Sequence, residues 1–342
     1  MSGRVRSTAC PLCEATGNTP VLTGYDRVFA RAETYEYVRC AGCGLLFQDP
    51  LPDPGDLPGF YPEDYAPHRD GRAAVERKLE KPLNRLAIRY YYGTDSGSRS
   101  RLLRSVFRAL SGRMLAETYP PHGGNRFLDV GCGSGARLAQ YAALGWEVRG
   151  IEVSPRAVRT ARTGGLEVHC GTVFDAPFEP WSFDHVQLNH VIEHVLDPVA
   201  VLRSAARFLA PGGRLVVVTP NAAGHGLARF GSCWASLDAP RHIMLFDLAT
   251  ARLLGERAGL AIRSLTTRAV PRILSESRDY LRRQGRELPD GIRERRDLID
   301  AAARAGRPSR AYRRWIAPLA AVNARRGRGE VMDVEYARRE PR

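Results

Sequence analysis

The stretch Arg126-Phe-Leu-Asp-Val-Gly-Cys-Gly-Ser-Gly135 joins an apolar segment to three glycines at alternating positions. An amphipathic run follows directly over residues 136–144. Glycine lets the backbone turn sharply and approach a ligand with no Cβ atom in the way. A helix that begins after such a turn presents unpaired N–H groups and the positive end of its dipole. The stretch therefore predicts a strand, a ligand-binding turn at Gly131, Gly133 and Gly135, and a helix.

Two classes of nucleotide cofactor use this strand–turn–helix device. The pattern Gly131-x-Gly133-x-x-Ala136, with Glu152 about twenty residues further on, also satisfies the dinucleotide fingerprint. Asp129 favours a different ligand, because a carboxylate at the turn suits the ammonium of an amino acid better than a pyrophosphate. The turn also lies in mid-chain, and the histidine-containing segment that follows has no evident role beside a nicotinamide. These features favour a cofactor that carries an amino acid.

Over roughly residues 122–340, the chain resembles the class I S-adenosylmethionine-dependent methyltransferases. Residues 129–135 look like the first motif of that family. Glu152, which ends Trp146-Glu-Val-Arg-Gly-Ile-Glu152, looks like the acid that holds the ribose hydroxyls. The resemblance implies S-adenosylmethionine as the cofactor. It also implies a set of binding residues, namely Asp129, Gly131, Gly133, Gly135, Glu152, Thr172, Val173, Asn189 and His190.

The later members of that set have distinct expected roles. Thr172 and Val173 flank the adenine by resemblance, although the family often has an acidic residue where Thr172 stands. Asn189 and His190 line the methionine end, with a structural role as the alternative. His194 is expected to stabilise its loop rather than to take a proton.

Apolar periodicity predicts alternating strands and helices through this part of the chain. The predicted strands are 126–130, 147–152, 166–170, 183–189, 213–219, about 260–267 and 329–336, and the predicted helices are about 135–145, 155–163, 198–209 and 248–258. Such alternation indicates a parallel sheet covered on both faces. The resemblance implies an α/β, Rossmann-like sheet of seven strands whose last strand is antiparallel, so ligands are expected beyond the carboxyl ends of the strands.

The N-terminal segment carries a second strong signal. Cys10-Pro-Leu-Cys13 and Cys40-Ala-Gly-Cys43 are two CxxC pairs separated by 26 residues, and residues 33–39 between them alternate like a hairpin strand. Two such pairs complete a tetrahedral thiolate site for zinc, with Cys10, Cys13, Cys40 and Cys43 as the ligands. Four sulfur ligands leave no open position, so the metal is expected to be structural. Free thiols or redox pairs are the alternative.

These signals divide the chain into three parts. We expect a zinc ribbon over residues 1–50, a linker with cap helices over 51–121, and a methyltransferase domain over 122–342. The linker is rich in proline, and helical spacing resumes at about residues 75–116. Residues 271–325 form an Arg-rich helical insertion before the last strand.

Composition limits the partners. The 342-residue chain has a formal net charge of +14, but its arginines alternate with acidic residues, which favours solvated helix faces over a nucleic-acid surface. An acidic or phosphorylated substrate is compatible with that charge. No apolar run is long enough to span a bilayer, and the N-terminus lacks the apolar core of a signal peptide, so a cytoplasmic protein is expected. The oligomeric state stays open.

The loop from residue 220 to 246 contains glycines, aromatic residues and histidines, a composition that fits a functional lid. A ribbon, a class I domain and a loop ending in His242 and Phe246 together resemble a bacterial branch that includes sugar C-methyltransferases. In that branch a Glu-His pair helps to remove a proton next to a carbonyl. Here Arg241 stands where that glutamate would be, which favours an oxygen nucleophile.

The sequence thus predicts methyl transfer to a small-molecule acceptor, which is acidic or carrier-linked, in secondary metabolism or glycan biosynthesis. His242 would deprotonate a hydroxyl and Arg241 would orient the acceptor, with a loop-anchoring role as the alternative for His242. Three other functions stay open. They are C-methylation of a nucleotide-linked keto sugar, a partner-binding ribbon protein with a weakly active or silent methyltransferase domain, and an NAD-dependent enzyme.

Overall fold

The computed structural model of the protein describes residues 9–29, 33–61, 124–284 and 310–339. The helix predicted over 75–116, most of the predicted linker and residues 285–309 of the Arg-rich insertion lie outside the described residues. The chain divides into two compact units. The units are Met1–Pro62 with His190–Arg203 and Val217–Arg342, here called the outer unit, and Glu63–Asn189 with Ser204–Val216, here called the inner unit.

The described residues form strands and helices in alternation over much of their length. The strands are β1 Thr19–Tyr25, β2 Thr34–Arg39, β3 Leu46–Gln48, β4 Arg126–Val130, β5 Glu147–Glu152, β6 Val168–Cys170, β7 Phe183–Asn189, β8 Leu209–Pro220, β9 Met244–Leu245, β10 Leu260–Arg268 and β11 Val331–Arg338. The helices are α1 Ala136–Ala142, α2 Pro155–Thr163, α3 Pro198–Arg207, α4 His225–Phe230, α5 Leu248–Arg257, α6 Pro271–Gln284 and α7 Arg310–Arg325.

A seven-stranded sheet has the order β10-β11-β8-β7-β4-β5-β6. The pairs β4–β5, β4–β7 and β5–β6 are parallel, whereas β10 and β11 are antiparallel. The predicted α/β fold with seven strands is confirmed. β4, β5 and β7 have the predicted bounds, and β11 lies two residues later than predicted.

The structure corrects the start of β8. Pro211-Gly-Gly was predicted to end a helix at about residue 209, but α3 ends at Arg207 and the strand begins at Leu209. The backbone N–H of Phe183 donates to the carbonyl of Phe208 (2.9 Å), so the chain already runs beside the start of β7 before the glycines. Gly212 has φ +76° and lies inside the strand as a local irregularity.

An aromatic cluster fills one side of the inner unit. The ring of Phe127 on β4 stacks on Tyr141 of α1, with ring centroids 3.9 Å apart, and Trp146 meets both rings edge-on. Phe127 and Tyr141 are fully buried. Burying a side chain of this size stabilises the fold by about 1.5–3 kcal/mol, so this cluster fixes β4 and α1 on either side of the glycine turn.

The outer unit contains a second sheet of four antiparallel strands in the order β1-β2-β3-β9. The strand predicted between the cysteine pairs is β2, and it pairs with both β1 and β3. The fourth strand, β9, comes from a distant part of the chain and pairs Leu245 with Leu46 and Met244 with Phe47. Within the described residues, no helix is both long and apolar enough to cross a membrane.

Candidate functional site

The predicted glycine turn follows β4 directly. Gly131, Gly133 and Gly135 have φ of +73°, +55° and +82°, a backbone conformation that disfavours residues with a Cβ atom. A Cβ atom on Gly135 would also collide with Cδ1 of Leu166. Gly135 precedes α1 and provides no side-chain cap, so the first N–H groups of the helix point into the turn. The turn therefore has the form of a site for a polar ligand.

Glu152 ties the end of β5 to this turn. One carboxylate oxygen accepts from the N–H of Gly133 and the other from the N–H of Ser154, each at 2.8 Å. The residue is 7% exposed. Each carboxylate oxygen has a second lone pair, so Glu152 could still accept from a vicinal diol such as a ribose. The side chain thus shapes the turn and offers acceptors to the same ligand.

Asp129 is the unsatisfied polar group of the turn. Its side chain is buried, and within the described residues its Oδ1 atom has no hydrogen-bond partner. Burial raises the pKa of this carboxyl to about 7, Arg137 opposes the rise, and Glu152 adds to it. Buried polar atoms are nearly always paired in native proteins. An ammonium group bound in the turn would supply the missing partner, so these residues fit S-adenosylmethionine.

After β6, Thr172 stands where the family often has an acidic residue, and the acidic Asp175 lies three residues later. Both the N–H and the hydroxyl of Thr172 donate to Oδ1 of Asp175, at 2.6 and 2.7 Å. The hydrogen bonds from Thr172 lower the pKa of the Asp175 carboxyl. Val173 is buried beside it. An acidic side chain is therefore held at this loop by Thr172, three residues later than the family pattern places it.

β7 ends at Asn189, and the chain changes direction at His190. His190 has φ +56°, an uncommon conformation for a residue with a side chain. Its N–H donates to the carbonyl of Val218 (2.8 Å), and its Nδ1 atom lies 2.9 Å from Oε1 of Glu193. This constrained turn brings His190 to Glu193 within the outer unit, whereas Asn189 is half-buried at the end of the strand.

Glu193 is a fully buried carboxylate. Its Oε2 atom accepts from the hydroxyl of Thr219 at 2.8 Å. Burial alone would raise its pKa, but the hydrogen bond with His190 and the nearby imidazoles of His190, His194 and His242 lower it to about 2. The side chain is therefore charged at every physiological pH.

His242 faces that carboxylate. Its Nδ1 atom lies 2.8 Å from the carbonyl oxygen of Ser236, which can only accept, so the ring proton sits on Nδ1. The neutral ring then carries its lone pair on Nε2. That atom lies 3.9 Å from Oε1 of Glu193 and 3.9 Å from Oδ2 of Asp238. The arrangement gives His242 a proton-accepting nitrogen beside two acidic groups.

His194 packs edge-on against His242, with ring centroids 4.7 Å apart. Its Nδ1 atom lies 2.9 Å from the carbonyl of Arg241 and 2.9 Å from the hydroxyl of Tyr61. Burial, with a smaller contribution from the neighbouring His242 ring, lowers the pKa of His194 to about 4. His194 is therefore neutral near pH 7, and its Nδ1 atom is bonded to the backbone of the loop that carries His242. Glu193, His194 and His242 are also close enough to hold a metal ion.

Arg241 is fully buried and ion-paired on two sides. Its guanidinium donates to Asp26 (3.0 Å) and to Asp238 (2.7 Å), and it lies over the ring of Phe29. Burial by itself would lower the pKa of Arg241, but the hydrogen bonds and charges of Asp238 and Asp26 stabilise the charged guanidinium and raise it. We therefore assign Arg241 a positioning role in its loop, in place of the predicted contact with the acceptor.

The four N-terminal cysteines come together as predicted. The Sγ atoms of Cys10 and Cys43 are 3.6 Å apart, those of Cys13 and Cys40 are 3.4 Å apart, and all four lie within 4.8 Å of one another. A tetrahedral zinc site with Zn–S bonds of about 2.3 Å has S–S edges of about 3.8 Å. The N–H groups of Gly42 and Cys43 donate to Sγ of Cys40. The donor set and its spacing fit zinc.

Sequence reasoning missed several members of the two sites. The sequence alone assigns no role to Glu193, Asp238, Asp26 or Asp175. A signal was present for Glu193, because a charged residue stands between apolar neighbours at positions 191–192 and 195–196. The carboxylates that pair with Arg241 had no such local signal.

The chain matches proteins of known class. The sequence model of a family described as a methyltransferase domain matches residues 92–265. A ubiquinone biosynthesis O-methyltransferase from Xanthomonas oryzae pv. oryzae is 42% identical over 105 residues, which cover 29% of this chain and 44% of that protein. One from Ralstonia nicotianae is 35% identical over 130 residues, covering 35% of this chain and 55% of that protein. The chain spans about half the length of the curated relatives it matches.

Solved structures resemble the chain more distantly. An S-adenosylmethionine-dependent methyltransferase from Mesorhizobium loti is 18% identical with a TM-score of 0.43, covering 68% of this chain and 98% of that one. A possible histamine N-methyltransferase from Thermotoga maritima is 17% identical with a TM-score of 0.41, covering 78% of this chain and 96% of that one.

Proposed function

The chain belongs to the methyltransferase domain family, and on that premise we propose that it transfers the methyl group of S-adenosylmethionine to a hydroxyl of a small-molecule acceptor. The observation that carries the oxygen acceptor is the state of His242. Its Nδ1–H is held by Ser236, so Nε2 is the atom that can take a proton. Activating a hydroxyl is the task for which such a nitrogen is suited.

The cofactor end of the proposal rests on the inner unit. Asp129 would accept from the ammonium of the methionine part, the glycine turn would carry the backbone past the ligand, and Glu152 would accept from the ribose hydroxyls. Thr172 and Val173 would border the adenine, with Asp175 beside them. We also retain Asn189 and His190 as residues for the methionine end.

The cofactor supplies a sulfonium-bound methyl group that is open to in-line displacement. In our proposal Nε2 of His242 takes the hydroxyl proton of the acceptor as the oxygen–methyl bond forms and the sulfur–methyl bond breaks. Glu193, charged and 3.9 Å away, stabilises the imidazolium that results. His194 and the Ser236 carbonyl keep the His242 ring in one orientation.

A second candidate is carbon methylation of a nucleotide-linked keto sugar. The sequence argued against it, because Arg241 stands where the related branch has a glutamate. Glu193, however, provides a carboxylate beside His242 from a different part of the chain. A Glu-His pair in space supports removal of a proton next to a carbonyl as well as from a hydroxyl.

We further propose that the four cysteines hold one structural zinc ion. Four thiolates fill a tetrahedral site, so the metal would take no part in the reaction. Zinc–thiolate sites need reduced cysteines, which supports a cytoplasmic location. The net charge of +14 supports an acceptor that carries carboxylate or phosphate groups, or one that is linked to a carrier. The relatives named for ubiquinone biosynthesis are compatible with either kind of acceptor.

Incubation with S-adenosylmethionine labelled in its methyl group tests the proposal. The acceptors are a catechol such as 3,4-dihydroxybenzoate and a nucleotide-linked keto sugar, each followed by mass spectrometry. A methyl ether supports the first candidate, and a carbon–methyl product supports the second. Calorimetry with the cofactor comes first, because failure to bind S-adenosylmethionine would remove both and leave a silent methyltransferase domain.

A further inference from the structure

The loop that carries His242 is joined to the cysteine-bearing segment as part of one sheet. β9 follows His242 after a single residue and pairs with β3 through Leu46–Leu245 and Phe47–Met244. The N–H of Gln48 also donates to the carbonyl of Ile243 (2.9 Å). All of these residues are buried. The position of the His242 backbone is therefore set from the N-terminal side.

Two polar side chains of the same segment hold the loop backbone directly. The hydroxyl of Tyr37 on β2 donates to the carbonyl oxygen of His242 at 2.7 Å. The side-chain amide of Gln48 donates to the carbonyl of Pro240 (2.8 Å) and to the Tyr37 oxygen (2.9 Å). Tyr37 is fully buried, so these bonds are shielded from water.

A third tie is ionic. Asp26, directly after β1, accepts from the guanidinium of Arg241, the residue before His242. Asp238 holds the other side of the same guanidinium. A buried charge of this kind is stable only while both partners are in place. Asp26 therefore contributes to the conformation of the loop from outside it.

The cysteine site closes the hairpin that carries these ties. Cys40 follows β2 directly, and β3 begins soon after Cys43, so the second cysteine pair is the turn between the two strands. The N–H of Cys40 donates to the carbonyl of Leu45, and the N–H of Gly44 to the carbonyl of Cys40. A metal ion bound by the two cysteine pairs would therefore fix the turn between β2 and β3 and contribute to the folding free energy of this segment.

We propose that the N-terminal metal-binding segment acts as the support of the His242 loop, with Tyr37, Gln48 and Asp26 as positioning residues, so that zinc loading sets the conformation of the loop. This inference rests on the proposed function only in giving His242 a role in the reaction. The support itself is a property of the outer unit and stands or falls on its own measurement.

Hydrogen–deuterium exchange of the full chain, with and without zinc, measures that support. Zinc is removed with a chelator or by Cys13→Ser, and zinc content is determined in parallel. We expect amide exchange across residues 234–246 to accelerate at least about tenfold without metal, because loop segments released from a sheet exchange by local opening. Exchange across 126–152 and the affinity for S-adenosylmethionine should stay unchanged. Equal protection of 234–246 with and without zinc would overturn the proposal.

Tyr37→Phe tests one tie without disturbing the metal. The readout is the rate at which diethyl pyrocarbonate modifies His242, followed by mass spectrometry. We expect that rate to rise about fivefold, the equivalent of one lost hydrogen bond, with zinc content unchanged and the melting temperature lowered by only about 2–4 °C. The control is Tyr35→Phe on the same strand, whose ring packs edge-on against Phe60. An unchanged rate in Tyr37→Phe would contradict the role of Tyr37.

The two proposals fail in distinguishable ways. If His242→Ala retains full methyl transfer, the proposed base is lost while the exchange result stands. If amide exchange of residues 234–246 does not depend on zinc while His242→Ala is inactive, the role of His242 as a base is supported and the proposed support of its loop is contradicted.

Discussion

Nε2 of His242 lies 3.9 Å from Oε1 of Glu193. The Glu193 carboxylate has no solvent exposure, and its pKa is lowered to about 2. Two unit charges at this separation attract by about 4 kcal/mol at an effective dielectric constant of about 20, before desolvation is counted. In the proposed reaction, Glu193 would therefore stabilise the positive charge of an imidazolium at His242.

Replacing His242 by alanine tests the base directly. We expect methyl transfer to an oxygen acceptor to fall by at least about a hundredfold, since general-base catalysis contributes about 10²–10⁴. Affinity for S-adenosylmethionine, measured by calorimetry, should not change. His225→Ala is the matched control, because His225 begins α4 and lies outside the Glu193 cluster. Equal turnover of the two variants would exclude His242 as the base.

Glu193→Gln tests the carboxylate through acid stability. In the folded protein the pKa of Glu193 is about 2, against an ordinary value of 4.5. A lowered pKa contributes stability that is complete above the unfolded value and is lost as the pH falls through the folded one. At about 1.4 kcal/mol for each unit of pKa, the wild type should lose about 3 kcal/mol over this window. The variant should lack that part of the acid transition, as measured by denaturant unfolding. A variant with the same acid dependence as the wild type would contradict this.

Asp129 makes cofactor affinity depend on pH. Its pKa is raised to about 7 by burial, so the carboxylate is progressively protonated as the pH falls below that value. Only the charged form pairs with an ammonium. We expect the Kd for S-adenosylmethionine to rise by up to about tenfold for each pH unit below about 7. Asp129→Asn should bind weakly at every pH with a flat profile, and a pH-independent wild type would remove the ammonium contact.

Gly135→Ala should abolish cofactor binding. The substitution places a Cβ atom against Leu166 at a residue with φ +82°. Gly145→Ala is a close control, because Gly145 has φ +85° but nothing within 4 Å of its Cβ position. The control isolates backbone strain, about 1 kcal/mol, from the collision. Calorimetric titration of both variants decides, and equal cofactor affinity would show that the turn tolerates the added atom.

Arg241→Leu should destabilise the protein strongly. Removing the guanidinium leaves the buried Asp26 and the partly exposed Asp238 without their shared cation. Breaking a buried pair in this way costs about 3–5 kcal/mol, measurable by denaturant unfolding. Arg229→Leu, which removes an arginine from α4, should cost far less. A small loss for Arg241→Leu would contradict a stabilising role for the two ion pairs.

The glycine turn could be predicted because its information is local. Alternating glycines after an apolar strand fix backbone conformation within ten residues, and the structure has φ values to match at Gly131, Gly133 and Gly135. The four-cysteine cluster could be predicted for the same reason, since the CxxC spacing within each pair brings two thiolates close enough to bind one metal ion. In both places neighbouring residues specify the chemistry.

The surroundings of His242 could not be predicted in the same way. Glu193 is 49 positions from His242, and Asp26 is 215 positions from Arg241, a separation over which no periodicity operates. From the sequence, Arg241 is expected to orient an acidic or phosphate-bearing acceptor, and arginine is an exposed residue in most contexts. Its burial follows from two carboxylates that only the folded chain brings to it, so tertiary contacts decided its role.

The pairing of β3 with β9 has a consequence for the folding of the protein during its synthesis. Leu46 leaves the ribosome about two hundred residues before its partner Leu245. At about 5–20 residues per second, the first three strands wait on the order of ten to forty seconds for the fourth. A metal ion bound by Cys10, Cys13, Cys40 and Cys43 would keep β3 folded during that interval, before β9 pairs with its free edge. Zinc supply then matters most while the chain is being made.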